Sequence, residues 1–184
     1  MTMYSAMAAV SECMADHKKS ATYLCSNIDY TLQAFENDTA RLGKAYCSDG
    51  KYEDAVTVYE TFFEVMRVIF KDEIPPSYHD FDSGDCYLLL AEAYIAAGKT
   101  SKAMDAVEKS VMYYIDLYNT YTEENILQRS HIKSPVVRET ELVTSLPKKI
   151  IKQKLLYKLS APGIQALNRE ARFLELSETV NNLS

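Results

Sequence analysis

The chain has 184 residues, 47% of them hydrophobic and 25% charged, with only five Gly and five Pro. That is enough apolar material for one core, and too few turn-formers for a loop-rich β sandwich, so helices are expected. The net charge of −6 is unevenly spread: residues 1–100 hold 8 basic and 16 acidic side chains, residues 101–184 hold 12 and 10. An acidic first half suits a phosphate backbone poorly, because nucleic-acid affinity rests on Lys and Arg contacts.

The start, "MTMYSAMAAVSECMADHKK", lacks a basic leader, and Ser11 and Glu12 interrupt its apolar stretch. It reads as an N-terminal helix over residues 1–20, not a signal peptide. From Ala21 to Ser48, Leu24, Ile28, Leu32, Phe35, Thr39, Leu42 and Tyr46 step by three or four, one stripe of an amphipathic helix. Asp49-Gly50 ends it. A second helix runs from Tyr52 to Phe70, with Ala55, Val58, Tyr59, Phe62, Val65, Met66 and Ile69 inward. Residues 21–71 therefore form a first helix pair.

"KDEIPPSYHDFDSGD" is a loop, since Pro75-Pro76 cannot continue a helix. A second pair spans 82–121, with one helix to Ala97, a stop at Gly98, and a partner carrying Ala103, Val107, Val111, Tyr114 and Leu117. Residues 122–147, with Pro135 and Pro147, are irregular. "KKIIKQKLLYKL" (148–159) is a short helix with a Lys face, and "REARFLELSETVNNL" (169–183) is a last amphipathic helix. The fold class expected is all-α, in a single domain.

The two pairs repeat each other. "LGKAYCSDGK" (42–51) and "LAEAYIAAGK" (90–99) match in register, as Leu42/Leu90, Ala45/Ala93, Tyr46/Tyr94, Gly50/Gly98 and Lys51/Lys99. The match continues through Ala55/Ala103 and Glu60/Glu108. Small residues let two antiparallel helices approach, Tyr fills the space near the turn, and Gly closes it. One such pair cannot bury its face alone, so pairs stack.

These residues resemble the tetratricopeptide repeat, with a period lengthened from the usual ~34 residues. Copy one departs from that pattern at Thr39 and Phe62, and neither copy has the terminal Pro. "LLAEAYIAAGKTSKAMDAVEKSVMYYIDLYNTYT" and the ending "LNREARFLELSETV", with Arg172-Phe173, resemble the C-terminal repeat region of helix-turn-helix regulators of the xenobiotic-response-element type from Firmicutes. No helix-turn-helix precedes the repeats, so the chain is expected to be an isolated effector half or a stand-alone relative. The resemblance implies a stacked solenoid whose concave face is lined by first helices and whose last helix is a cap.

On that face the resemblance places Asn37, Ala40, Lys44 and Cys47 from copy one, and Asp85, Leu88, Glu92 and Ile95 from copy two. Such a groove carries both signs over a Leu/Ile floor and suits a peptide or a partner helix. The bland alternative is a solvated face covered by the N-terminal helix. "HDFDSGD" sets His79, Asp80, Asp82 and Asp85 close together, but the twelfth position after a calcium-loop start at Asp80 is Ala91, so helix capping is the expectation. Lys148, Lys149, Lys152, Lys154 and Lys158 could meet an acidic partner or membrane, or form a solvated face over a stripe of Ile150, Ile151, Leu155, Leu156 and Leu159.

Cys13, Cys25, Cys47 and Cys86 lack metal-ligand spacing and are expected to be buried thiols of a cytoplasmic bacterial protein. His17, His79 and His131 are far apart, and no phosphate loop, GxSxG or HExxH is present. No catalytic, cofactor or metal residues are expected. The function expected is a non-enzymatic peptide- or protein-binding module, the sensory part of a transcriptional regulator; the alternative is a constitutive scaffold holding two proteins together. The partner is expected to be a peptide or protein helix, with no direct nucleic acid and no membrane, and with a homodimer left open.

Overall fold

The computed structural model describes residues 2–70, 77–78, 81–120 and 148–183. The described residues are all-helical apart from a minimal two-stranded pair. In order come α1 (Met3–Cys13), α2 (His17–Ser48), α3 (Tyr52–Phe70), β1 (Ser77–Tyr78), β2 (Phe81–Asp82), α4 (Ser83–Ala96), α5 (Thr100–Thr120), α6 (Lys148–Leu159), a 3-10 turn (Ile164–Leu167) and α7 (Ala171–Asn181). Strands β1 and β2 pair antiparallel, Ser77 with Asp82 and Tyr78 with Phe81. The Pro-Pro step and the irregular stretch 122–147 lie outside the described residues. Among the described residues, no helix is long and apolar enough to cross a membrane.

The N-terminal helix is shorter than expected. It ends at Cys13, the chain turns through Ala15 at φ 56°, and α2 starts at His17. Asp16 caps α2 by accepting from the Lys19 N–H at 3.1 Å, satisfying a donor that has no partner within the helix. Helix α1 folds back on α2 through small buried residues, Ala8, Ser11 and Ser20, and leaves Met3, Val10 and Met14 largely exposed.

Helices α2 and α3, then α4 and α5, form two antiparallel pairs, and α3 packs on α4, so neighbouring pairs stack in a repeat-like arrangement. Both pairs turn in the same way. Gly50 and Gly98 each hold φ +74°, in the left-handed region that Gly alone adopts freely. Beyond each Gly, Lys51 N–H donates to the Tyr46 carbonyl at 2.9 Å and Lys99 N–H to the Tyr94 carbonyl at 2.8 Å. These wrap-around bonds use carbonyls that the helix end leaves unpaired. Ala55 and Ala103 are both fully buried after the turns.

The two copies are not packed alike. Leu90, Ala93 and Tyr94 are buried, whereas Leu42 and Ala45 are exposed. The close approach in copy one is made by Gly43 instead, against the ring of Tyr59. The buried line of α2 consequently runs Leu32, Glu36, Thr39, Ala40 and Gly43, and Leu24, Phe35 and Leu42 of the expected stripe remain more than a third exposed. Aromatic rings link the layers: Phe35 lies 5.9 Å from Phe62, Phe62 5.2 Å from Phe63, and Tyr87 stacks between Phe63 (3.9 Å) and Tyr113 (5.6 Å). Tyr94 of copy two donates its hydroxyl to Glu60 of copy one, and Lys99 pairs with Glu53.

The equivalent of Glu60 in copy two, Glu108, meets α7. Arg172 donates to Glu108 Oε1 and Oε2 at 2.7 and 2.6 Å and to Asp105 at 2.9 Å, while Phe173 and Val180 are buried. Helix α7 thus packs at the end of the stack.

Candidate functional site

A cleft of about 330 Å³ opens between α2, α4, α6 and the turn that follows α6. Ala40 and Lys44 line it from α2; Asp85, Leu88, Leu89 and Glu92 from α4; Tyr157 and Lys158 from α6; Ala161 and Ile164 from the turn beyond. The α4 residues stand one or two turns apart on one face, which is why a single helix supplies four of the ten. Lys44, Asp85, Leu88 and Glu92 of the expected groove are therefore brought together. Asn37 is exposed farther along α2 and does not line the cleft, and Ile95 packs partly buried against the core. Cys47 is half-buried next to the site, its thiol pushed up by burial and by the Glu92 charge.

The cover is not the N-terminal helix. Helix α1 lies on α2, whereas α6 and the 3-10 turn flank the cleft. The Lys face of α6 is largely used within the chain. Lys158 pairs with Asp85 at 2.6 Å and Lys154 with the same carboxylate at 3.6 Å. Lys152 donates to the Asn181 and Leu183 carbonyls, at 2.7 and 2.6 Å, at the end of α7. Lys148 sits over the Tyr118 ring at 5.0 Å. The expected solvated face is thus a set of internal contacts, with Lys149 exposed. Ile151, Leu155 and Leu159 are buried as expected, but Ile150 is 44% exposed.

Asp85 carries the heaviest load in the cleft wall. It stands in the first turn of α4, where a carboxylate is favoured, and it accepts the Tyr114 hydroxyl besides pairing with two lysines. Of the other acidic-loop residues, His79 and Asp80 lie outside the described residues. Among the described residues, no group of three His, Cys, Asp or Glu is placed to hold a metal.

Glu92 differs from Asp85. It is partly buried, and it has no hydrogen bond or ion pair among the described residues. Burial holds its carboxyl above the usual range, with Lys44 and Lys158 pulling it back. Its side chain lies against Gly163, where an added Cβ would stand 3.0 Å from Glu92 Oε1 and 3.1 Å from Cγ. Lys44 likewise has no ion pair or hydrogen bond among the described residues. Lys44 and Glu92, neither with an ion pair or hydrogen bond among the described residues, thus share a cleft whose floor is Ala40, Leu88, Leu89, Ala161 and Ile164.

Sequence reasoning missed Leu89, Tyr157, Ala161 and Ile164, and set Lys158 on a separate Lys face instead of in the groove. Tyr157, 80% exposed, carried a signal as the one aromatic in a Lys-rich helix. The position of α6 over the cleft had no local signal, because it follows a stretch without periodicity. The cysteines also differ from expectation: Cys86 alone is buried, Cys25 and Cys47 are intermediate, and Cys13 is exposed. In comparisons with known proteins, no family model, no curated protein and no solved structure matches the chain.

Proposed function

We propose that this protein is a non-enzymatic, cytoplasmic binding module of the tetratricopeptide-repeat kind that takes a peptide segment into the cleft between α2, α4 and α6. One observation carries the reading: Lys44 and Glu92, from equivalent first helices, share a cleft of about 330 Å³ and make no ion pair or hydrogen bond among the described residues. Binding sites combine an apolar lining with a few polar groups that fix orientation, and this cleft has that composition. Its volume suits one or two peptide side chains rather than an entire helix. The sequence likeness to regulators of the xenobiotic-response-element type supports a sensory role, in which occupancy is relayed to a DNA-binding half.

The test is capture of peptides from a randomised pool by the full chain, compared with Lys44→Glu, Glu92→Lys and Leu88→Asp. Lys44 is exposed, so its reversal should leave the melting curve close to wild type. Glu92 is partly buried against Gly163 and Leu88 is buried, so their variants are compared at a temperature where melting curves show them folded. Recovery of the wild-type peptide set should fall by roughly 30-fold or more for each reversal, since an interfacial charge left unpaired costs ~2–5 kcal/mol. Equal recovery by all four proteins would remove the cleft from consideration.

A further inference from the structure

We infer that the cleft selects a ligand presenting a guanidinium or ammonium group to Glu92 and a neighbouring carboxylate to Lys44. This rests on the binding reading above and adds the chemistry of the ligand. The wall of α4 carries two carboxylates seven residues apart, Asp85 and Glu92, and two turns of helix set them on one face. The chain itself fills the first: Lys158 reaches Asp85 at 2.6 Å and Lys154 at 3.6 Å. The second carboxylate is left without an ion pair among the described residues. Among the described residues it has no such partner, whereas α6 supplies two lysines to Asp85 two turns away.

The remaining groups narrow the class. A purely cationic ligand would meet Lys44 and Lys158 at the same cleft, and a purely anionic one would meet Glu92 and Asp85. A ligand with both signs answers Lys44 and Glu92 together and leaves the Asp85–Lys158 pair in place. The aliphatic stem of Arg or Lys has apolar surface to lie on, in Leu88, Ala161 and Ile164, with the exposed Tyr157 ring at the edge. Gly163 keeps the space that the Glu92 side chain occupies, since a Cβ there would press on it. The shared chemistry belongs both to a peptide with Arg or Lys beside Asp or Glu and to a free basic amino acid.

The experiment titrates the isotope-labelled full chain with Ac-Arg-Glu-NH2, Ac-Arg-Ala-NH2, Ac-Ala-Glu-NH2 and free L-arginine, following cleft resonances by NMR. Ac-Arg-Glu-NH2 should bind saturably and about 10-fold tighter than either dipeptide that lacks one charge. Glu92→Gln should bring its affinity down to that of Ac-Ala-Glu-NH2, and Lys44→Gln down to that of Ac-Arg-Ala-NH2. Comparable binding by L-arginine would assign the source as a free amino acid; binding by the dipeptide alone would assign a peptide. On binding, the Glu92 carboxyl should also titrate at lower pH, a wild-type readout independent of any variant's folding. Equal affinity for all probes, no saturable shift, or an unmoved Glu92 titration would overturn the inference. If a Leu88→Asp-sensitive peptide set were still captured from the pool, only the ligand class would be wrong. If that capture also failed, the binding reading would fall with it.

Discussion

Gly43 of α2 faces Tyr59 of α3 so closely that a Cβ at position 43 would lie 2.2 Å from the ring's Cζ and 2.4 Å from its hydroxyl. The ring is buried, and its hydroxyl donates to the Ala40 carbonyl at 3.3 Å one turn away. Gly43→Ala should therefore destabilise by about 1–3 kcal/mol through overpacking. Trimming the ring in the double variant Gly43→Ala/Tyr59→Leu should recover part of the loss caused by the first change. Chemical denaturation of Gly43→Ala, Tyr59→Leu and the double variant, read as a double-mutant cycle, checks this. Strictly additive losses would mean that the two residues are not the contact pair.

Gly98 poses a different problem. A Cβ there would meet nothing within 4 Å, so the cost of substitution is backbone strain alone at φ +74°. Gly98→Val should lower stability by about 1–3 kcal/mol, and Gly98→Asn, which tolerates the left-handed region, by less. Thermal melts rank the two; an unchanged midpoint for Val would show that the turn accepts another geometry.

Glu36 should make stability pH-dependent. It is 1% exposed on α2, its Oε2 has no hydrogen-bond partner among the described residues, and burial pushes its carboxyl up to about 8 from an ordinary 4.5. The folded state keeps its proton where the unfolded state loses it, so stability falls as pH rises from about 4.5 to 8. By pH 7 the difference amounts to ~3 kcal/mol. Glu36→Met should stabilise the protein at pH 7, with the gain shrinking towards pH 4.5. Denaturation midpoints across that range test it, and a gain that does not vary with pH would contradict the assignment.

Asp85 joins α4 to α6 and to Tyr114. Asp85→Asn keeps the shape but removes the charge that holds Lys154 and Lys158, at a cost of about 1–3 kcal/mol. The loss should be concentrated in α6, and it should be smaller at high salt because the pairs are partly exposed. Hydrogen exchange resolved by segment would show faster exchange over Lys148–Leu159 with α3 unchanged. Uniform loosening of all helices would argue against a local latch.

The helices and their twin endings were legible along the chain because they depend on near neighbours. Gly50 and Gly98 sit where a left-handed residue closes a helix, and Ala55 and Ala103 recur at the same distance after it; the structure has each of these as expected. The family resemblance placed Asn37, Lys44, Asp85, Leu88, Glu92 and Ile95 on one face; Lys44, Asp85, Leu88 and Glu92 line one cleft, and Asn37 and Ile95 do not. Which side of α2 is buried was not decided locally. Its apolar stripe points through Leu24, Phe35 and Leu42, yet the absent side chain of Gly43 lets Tyr59 in and draws Glu36 and Ala40 inward. The cleft's other wall is also a tertiary decision. Lys154 and Lys158 read as a solvated face until α6 is laid against Asp85, a pairing across about 70 positions that no period of 3.6 encodes. Periodicity specifies which residues share a helix face; only the packed helices select the face to bury, and which charges are left to meet a ligand.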